Sequence, residues 1–192
     1  MTDSPSRALR ADAQLNHDRV LEVAAELFAT DGADTSMKSL ATAAGVGVGT
    51  LYRRFPSREI LIEAVYRTET TKLAEAAATL LETMTPITAL RTWMGMFVSY
   101  MLAKYGMAEA LKAVLLDGGE LRMETRQRLV DALSLLLTAA EADGSIRTDL
   151  PPLRILMGIS GIVLIADEFH EAGLTDQLLD LQLDGLRFNA PK

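Results

Sequence analysis

The chain has 192 residues, 49% of them apolar and none cysteine, with a formal net charge of −7. That length and apolar share can fill a folded core, which excludes a mostly disordered chain, and the lack of cysteine removes disulfides, thiol redox sensing and thiolate metal sites. An acidic total is not what a generic nucleic-acid binder shows, so any such function has to rest on a local patch.

Residues 1–15 are polar and small with no apolar run, and read as a disordered arm, not as a secretory leader. From about Asn16 to Thr30, Val20, Leu21, Ala24, Leu27 and Phe28 recur at helical spacing and give one apolar stripe. Asp31-Gly32 ends that helix, with glycine where a left-handed residue is commonly needed. Thr35 or Ser36 can cap the next helix, which begins near Met37.

The stretch from Leu40 to Phe55 reads as a short helix, a glycine turn and a second short helix ending in an aromatic and two arginines. Leu40, Val46 and Leu51 can meet in one small core, and Ala41 lets the two helices cross closely. Gly45 sits where the chain must reverse, a place where positive φ costs glycine nothing. This is a helix-turn-helix pattern suited to DNA: Thr50 and Tyr52 can donate hydrogen bonds, and Arg53 and Arg54 bring charge to phosphates. Tyr52 equally suits a core position beside Phe55, and the arginines a solvated helix face. Gly45, Gly47 and Gly49 do not make a dinucleotide loop, because no strand precedes them, Pro56 stops a long following helix, and no Gly-Lys-Ser/Thr is present. Ser57 is a plausible N-cap for a fourth helix, whose apolar positions Ile60, Leu61, Ala64, Val65 and Leu73 run on toward Leu80.

Charge partitions with this element. The first 58 residues carry seven basic side chains against seven acidic ones, and the remainder 12 against 19. The acids of the first part lie on or near the first helix, while Ser36 to Arg58 is purely basic. A local basic patch of this kind predicts salt-dependent binding.

Beyond the fourth helix, breaks at Met84-Thr85-Pro86, Asp117-Gly118-Gly119, Asp143-Gly144-Ser145, Leu150-Pro151-Pro152 and Ala172-Gly173 separate helical segments near 87–104, 107–116, 120–142, 152–171 and 175–188. The predicted class is all-α. Trp93, Met94, Met96, Phe97, Tyr100, Met101, Tyr105 and Met107 gather aromatics and methionines that suit an adaptable pocket for an apolar or aromatic molecule, and equally a plain core. The segment with Ile155, Gly158, Ile159, Gly161, Ile162, Val163 and Ile165 is apolar almost all round and must be buried on more than one side. A second subunit can supply that side, together with Leu179, Leu183 and Leu186 of the last helix; a monomer core is the other solution. The most apolar run, Ile155 to Ala166, falls short of the ~20 residues needed to span a bilayer, so no membrane role is expected and the chain reads as cytoplasmic. Asp167 and His170 share a helix face, but a helical di-iron site needs a second such motif. No serine lies in a nucleophile-elbow context. No enzyme activity, metal or cofactor is expected.

The stripe-bearing first helix, the Thr/Ser-initiated second helix, "AAGVGVGTLYRRF" and "PSREILIEAV" together resemble the N-terminal domain of the TetR/AcrR family of bacterial transcriptional regulators, over roughly Asn16 to Tyr66. The resemblance implies a helix-turn-helix domain over 16–66, joined by a long helix to a larger helical ligand-binding and dimerisation domain over 67–188. It implies that Thr35, Ser36 and Lys38 touch phosphate or a groove edge. Gly47, Val48 and Thr50 would lie in the major groove, although the family commonly places a lysine or polar residue where this chain has Val48. Tyr52, Arg53 and Arg54 would contact phosphates or bases, and Ser57 with Arg58 would anchor the fourth helix to the DNA backbone. The candidate ligand contacts are Trp93, Met96, Phe97, Tyr100, Met101 and Met107. The candidate dimer contacts are Ile155, Gly158, Ile159, Ile162, Leu179, Leu183 and Leu186, on the two C-terminal helices that the resemblance pairs across a two-fold axis. The implied function is a repressor that binds an inverted-repeat operator as a homodimer and is released by a small apolar effector. The rival is a helical small-molecule carrier or interaction module without DNA binding.

Overall fold

In the computed structural model the described residues are 5–31, 35–106, 111, 119–147, 149–169 and 171–188. Among them are eight helices and no strand: α1 (Pro5–Asp31), α2 (Met37–Ala43), α3 (Val48–Arg54), α4 (Arg58–Thr83), α5 (Pro86–Gly106), α6 (Gly119–Ala142), α7 (Pro152–Phe169) and α8 (Leu174–Arg187). The chain forms two compact units, one of Met1–Thr68 with Ala103–Gly118, the other of Glu69–Leu102 with Gly119–Lys192. Both α4 and α5 contribute residues to each.

In the first unit, α1 starts at Pro5, well before the expected Asn16, so the residues from Pro5 onward are helix where an arm was expected. The cause is propensity: Ala8, Leu9, Arg10, Ala11, Ala13, Gln14 and Leu15 are good helix formers, proline is tolerated in a first turn, and the buried turns downstream supply the nucleus. The stripe itself begins where expected, with Val20, Leu21, Ala24 and Phe28 buried against Met37, Leu40 and Ala41 of α2. Gly32 lies outside the described residues. Ser36 is the N-cap of α2 and accepts a hydrogen bond from the Ser39 backbone N–H at 3.0 Å. Gly45 takes φ +69° at the turn, in the left-handed region that glycine enters without strain. Leu51 and Phe55 then close the core with Leu61, Ile62 and Val65 of α4.

The second unit is built around Leu90, Trp93, Met94, Phe97, Leu133, Leu136 and Ile159, all at or near complete burial. Within it α7 packs on α6 and α8 on α7. Arg91 ties α5 to α8 through Asp176 and Asp180, at 2.9 and 2.5 Å. No helix among the described residues is long and apolar enough to cross a membrane.

Candidate nucleic-acid interface

The short helix α3 has one face for the protein and one for solvent. Leu51 and, just past the helix, Phe55 fill the core, which leaves Val48, Gly49, Thr50, Tyr52, Arg53 and Arg54 outside. Tyr52 is 47% exposed, so its ring belongs to the surface and not to the core beside Phe55. Gly47 opens the helix with extended backbone, φ −66° and ψ 140°. Its carbonyl accepts from the N–H groups of Thr50 and Leu51 at 2.9 and 3.0 Å. Gly49 adds no side chain to the outer face: a Cβ there would meet nothing within 4 Å. Arg53 reaches back to the Thr50 hydroxyl at 3.4 Å. With Ser36 and Lys38 exposed at the start of α2, these groups form a basic and hydroxyl-bearing surface of the kind that meets phosphates and base edges.

Three of the expected DNA contacts also hold the fold together. Thr35 is buried, and its hydroxyl donates to the Leu27 carbonyl at 3.4 Å, which joins the end of α1 to the start of α2. Arg58 donates to the Thr35 carbonyl, and its guanidinium lies 5.2 Å from the centre of the Phe28 ring. Ser57 caps α4 by accepting from the Ile60 N–H at 3.3 Å, and it also hydrogen-bonds Glu59. The Glu59 carboxyl is held below the usual carboxylate range by its own backbone N–H and by Ser57. Thr35, Ser57 and Arg58 therefore help to assemble the head. That role was invisible in sequence, because a basic residue after Pro-Ser suits a phosphate and a ring face equally.

One neighbour of this surface gave no sequence signal. His17 of α1 lies beside α3, with its ring stacked on Phe55 at 5.4 Å between centroids and 15° between planes. Arg54 Nε donates to His17 Nδ1 at 3.2 Å. The two line a crevice of about 390 Å³ with Asn16, Val20, Val46, Thr50, Leu51, Arg53 and Phe55. Burial pushes the His17 imidazole below its ordinary value, and Arg54 adds to this while Asp18 opposes it.

The other expected sites fall in the second unit. Trp93, Phe97 and Met101 lie on one buried face of α5, with Trp93 and Phe97 stacked at 5.7 Å and Phe97 tilted against Tyr100 at 6.1 Å. Trp93 Nε1 donates to the Leu73 carbonyl at 2.8 Å, and the Tyr100 and Thr70 hydroxyls are 2.9 Å apart. Met96 is exposed on another face of α5 and does not share these surroundings; Met107 lies outside the described residues, as does His170. Of the expected dimer contacts, Ile155, Ile159, Leu179, Leu183 and Leu186 are buried within the chain itself, and Ile162 is half-buried. A helix apolar on every side hides which face its own chain takes, and here Ile155 and Ile159 went inward while Ile165 is left exposed. Gly158 is used within the chain too, since a Cβ there would come within 3.0 Å of the Gln182 amide that bonds the Ile155 carbonyl. What α7 and α8 leave outside includes Met157, Leu164, Phe169, Leu181 and Phe188, each more than half exposed.

Comparison with known proteins agrees with this fold. Residues 20–65 match the family described as bacterial regulatory proteins, tetR family, and residues 85–188 match the transcriptional regulator SbtR-like C-terminal domain. Among solved structures, a TetR transcriptional regulator, SCO0520 from Streptomyces coelicolor, is 42% identical with a TM-score of 0.82, over 88% of this chain and 97% of that one. A TetR transcription regulatory protein from Mycobacterium vanbaalenii is 32% identical with a TM-score of 0.77, over 93% and 99%. Reduced NemR from E. coli shares the fold at 13% identity, with a TM-score of 0.73 over 92% and 100%. A comparison with curated proteins returns no match.

Proposed function

The chain belongs to the TetR family of bacterial transcriptional regulators, and from that premise we propose that it represses transcription in the cytoplasm as a homodimer on an inverted-repeat operator, released by a small apolar or aromatic effector. The family is one of DNA-binding regulators, not enzymes, which supports this reading over the carrier alternative. The observation that carries the proposal is the outward face of α3, where Thr50, Tyr52, Arg53 and Arg54 stand exposed on a helix anchored by Leu51. In a major groove, Thr50 and the arginines offer hydrogen bonds to base edges and phosphates, and the exposed Val48 isopropyl group suits a thymine methyl.

Dimerisation follows from what the second unit leaves uncovered. On α7, Met157, Gly161 and Leu164 lie at i, i+4 and i+7; on α8, Leu181 and Gly185 repeat the spacing of four, and Phe188 follows just past the helix end. Both glycines face open space, with nothing within 4 Å of an added Cβ. Two such helices from each subunit can cross closely at the glycines and bury the flanking side chains. These residues replace the buried isoleucines and leucines as the dimer contacts. A two-fold dimer then presents two copies of α3 to half-sites separated by whole helical turns.

Release needs a ligand that prefers a different state of the dimer, so that ligand and DNA weaken each other's binding reciprocally. Trp93, Phe97, Tyr100 and Met101 supply the apolar surroundings for it, and an effector entering there alters Trp93 fluorescence. The deciding test is selection of duplexes from a random library by the purified protein. Recovery of an inverted repeat, lost in an Arg53→Ala/Arg54→Ala variant, supports the proposal; recovery of sequences without two-fold symmetry defeats it.

A further inference from the structure

Arg54 and Arg53 are neighbours on α3, yet only Arg54 is held by a group that can change charge near neutral pH. Its Nε donates to His17 Nδ1, so in the free protein this imidazole is neutral and carries its proton on Nε2. We propose that His17 is a further phosphate-binding residue of the reading head, holding Arg54 in the free protein and joining it on the DNA backbone once protonated. This rests on the DNA-binding function proposed above.

The reasoning starts from what protonation does to the pair. A proton on Nδ1 turns the acceptor into a donor, so the bond from Arg54 is lost and two cations face each other. In the free protein the neutral arrangement suits both groups and the protonated one suits neither. A DNA phosphate resolves the conflict, because its oxygens accept from the guanidinium and from the imidazolium together. The ring is already placed for this by its stack on Phe55, which follows α3 directly, and by the crevice that it shares with Thr50, Arg53 and Arg54. The other charged groups around it are Arg53 on α3 and Asp18 on α1, while the Arg19 guanidinium of α1 lies against Gly45, 3.6 Å from where a Cβ would stand. Burial and Arg54 hold the free imidazole below its ordinary value, whereas an adjacent phosphate raises it. Binding therefore takes up a proton, and affinity rises as pH falls through the histidine range.

Fluorescence anisotropy with a labelled duplex of about 24 base pairs at about 50 mM salt reads this directly, because non-specific binding is dominated by phosphate contacts. Between about pH 7.5 and pH 5.5 the dissociation constant of the wild type should fall about fivefold, within the tenfold that each unit of difference between free and bound states permits. The salt slope should steepen by about one per protomer at the lower pH. His17→Gln keeps an acceptor for Arg54 but cannot charge, and its binding should stay flat beyond the background common to both proteins. The chain's second histidine provides the control, since His170→Gln should keep the wild-type profile. A flat wild-type profile, or an unchanged profile in His17→Gln, overturns the role of His17 while leaving DNA binding intact. Failure to retain any duplex at any pH brings down both this role and the function that it rests on.

Discussion

The outer faces of α3 and α7 are both left uncovered by their own chain, and they are built from opposite materials. The seven-residue α3 exposes hydroxyls, two guanidinium groups and a bare glycine, over a core contact as small as Leu51. The eighteen-residue α7 buries Ile155, Leu156, Ile159 and Val163 and still exposes Met157 and Leu164. Exposed charge is content in water and needs no partner to be stable, so α3 can stand ready for DNA without cost to solubility. Exposed large apolar groups in a continuous row are unfavourable in water and mark a surface covered by protein. The lesson is that exposure marks two candidate surfaces here, and their chemistry is what assigns each a different partner in the function proposed above.

Four variants break or sharpen that contrast. The largest effect is expected from Leu164→Asp, which places a charge in the proposed subunit contact; dimer association measured by sedimentation should weaken by about 4 kcal/mol or more. A monomer at micromolar concentration would be the result, with operator affinity falling in step. Next comes Arg53→Ala with Arg54→Ala, which should cost about 2–3 kcal/mol of DNA affinity and lower the salt slope by about two per protomer, with the melting temperature unchanged. Arg58→Ala should do the reverse: about 1–2 kcal/mol of stability is lost with its hydrogen bond to the Thr35 carbonyl and its place over Phe28, while the salt slope stays the same. Equal salt-slope losses for Arg58 and Arg54 would erase the distinction between assembling and contacting residues. The smallest effect is that of Lys38→Ala, about 0.5–1 kcal/mol of affinity and one unit of slope per protomer, spread evenly over all duplex sequences.

How legible the site was can be judged from its arginines. Arg53, Arg54 and Arg58 fall within six residues, and the pattern around them marked all three as DNA contacts. The structure leaves Arg53 and Arg54 exposed but turns Arg58 onto Phe28, thirty residues earlier in the chain. His17 shows the opposite failure. Nothing in its local pattern distinguishes it from a surface histidine on an amphipathic helix, and its meaning comes from Phe55 and Arg54, which approach only when α1 and α3 share one core. The α5 aromatics were visible as a cluster, but Met96 left it because helical rotation sets it on a different face from Trp93 and Phe97.

Sequence alone determined the helical class, the turn at Gly45, a cap at Thr35 or Ser36 and one at Ser57, and the family, because each of these depends on contacts within a few residues or on a motif read along the chain. The tertiary structure decided which side of α7 faces inward, that Arg58 packs on Phe28 while Arg53 and Arg54 stay exposed, and what stands beside Arg54. Those outcomes depend on side chains far apart in sequence competing for one core, and an apolar or basic residue does not carry in itself the direction in which it will point.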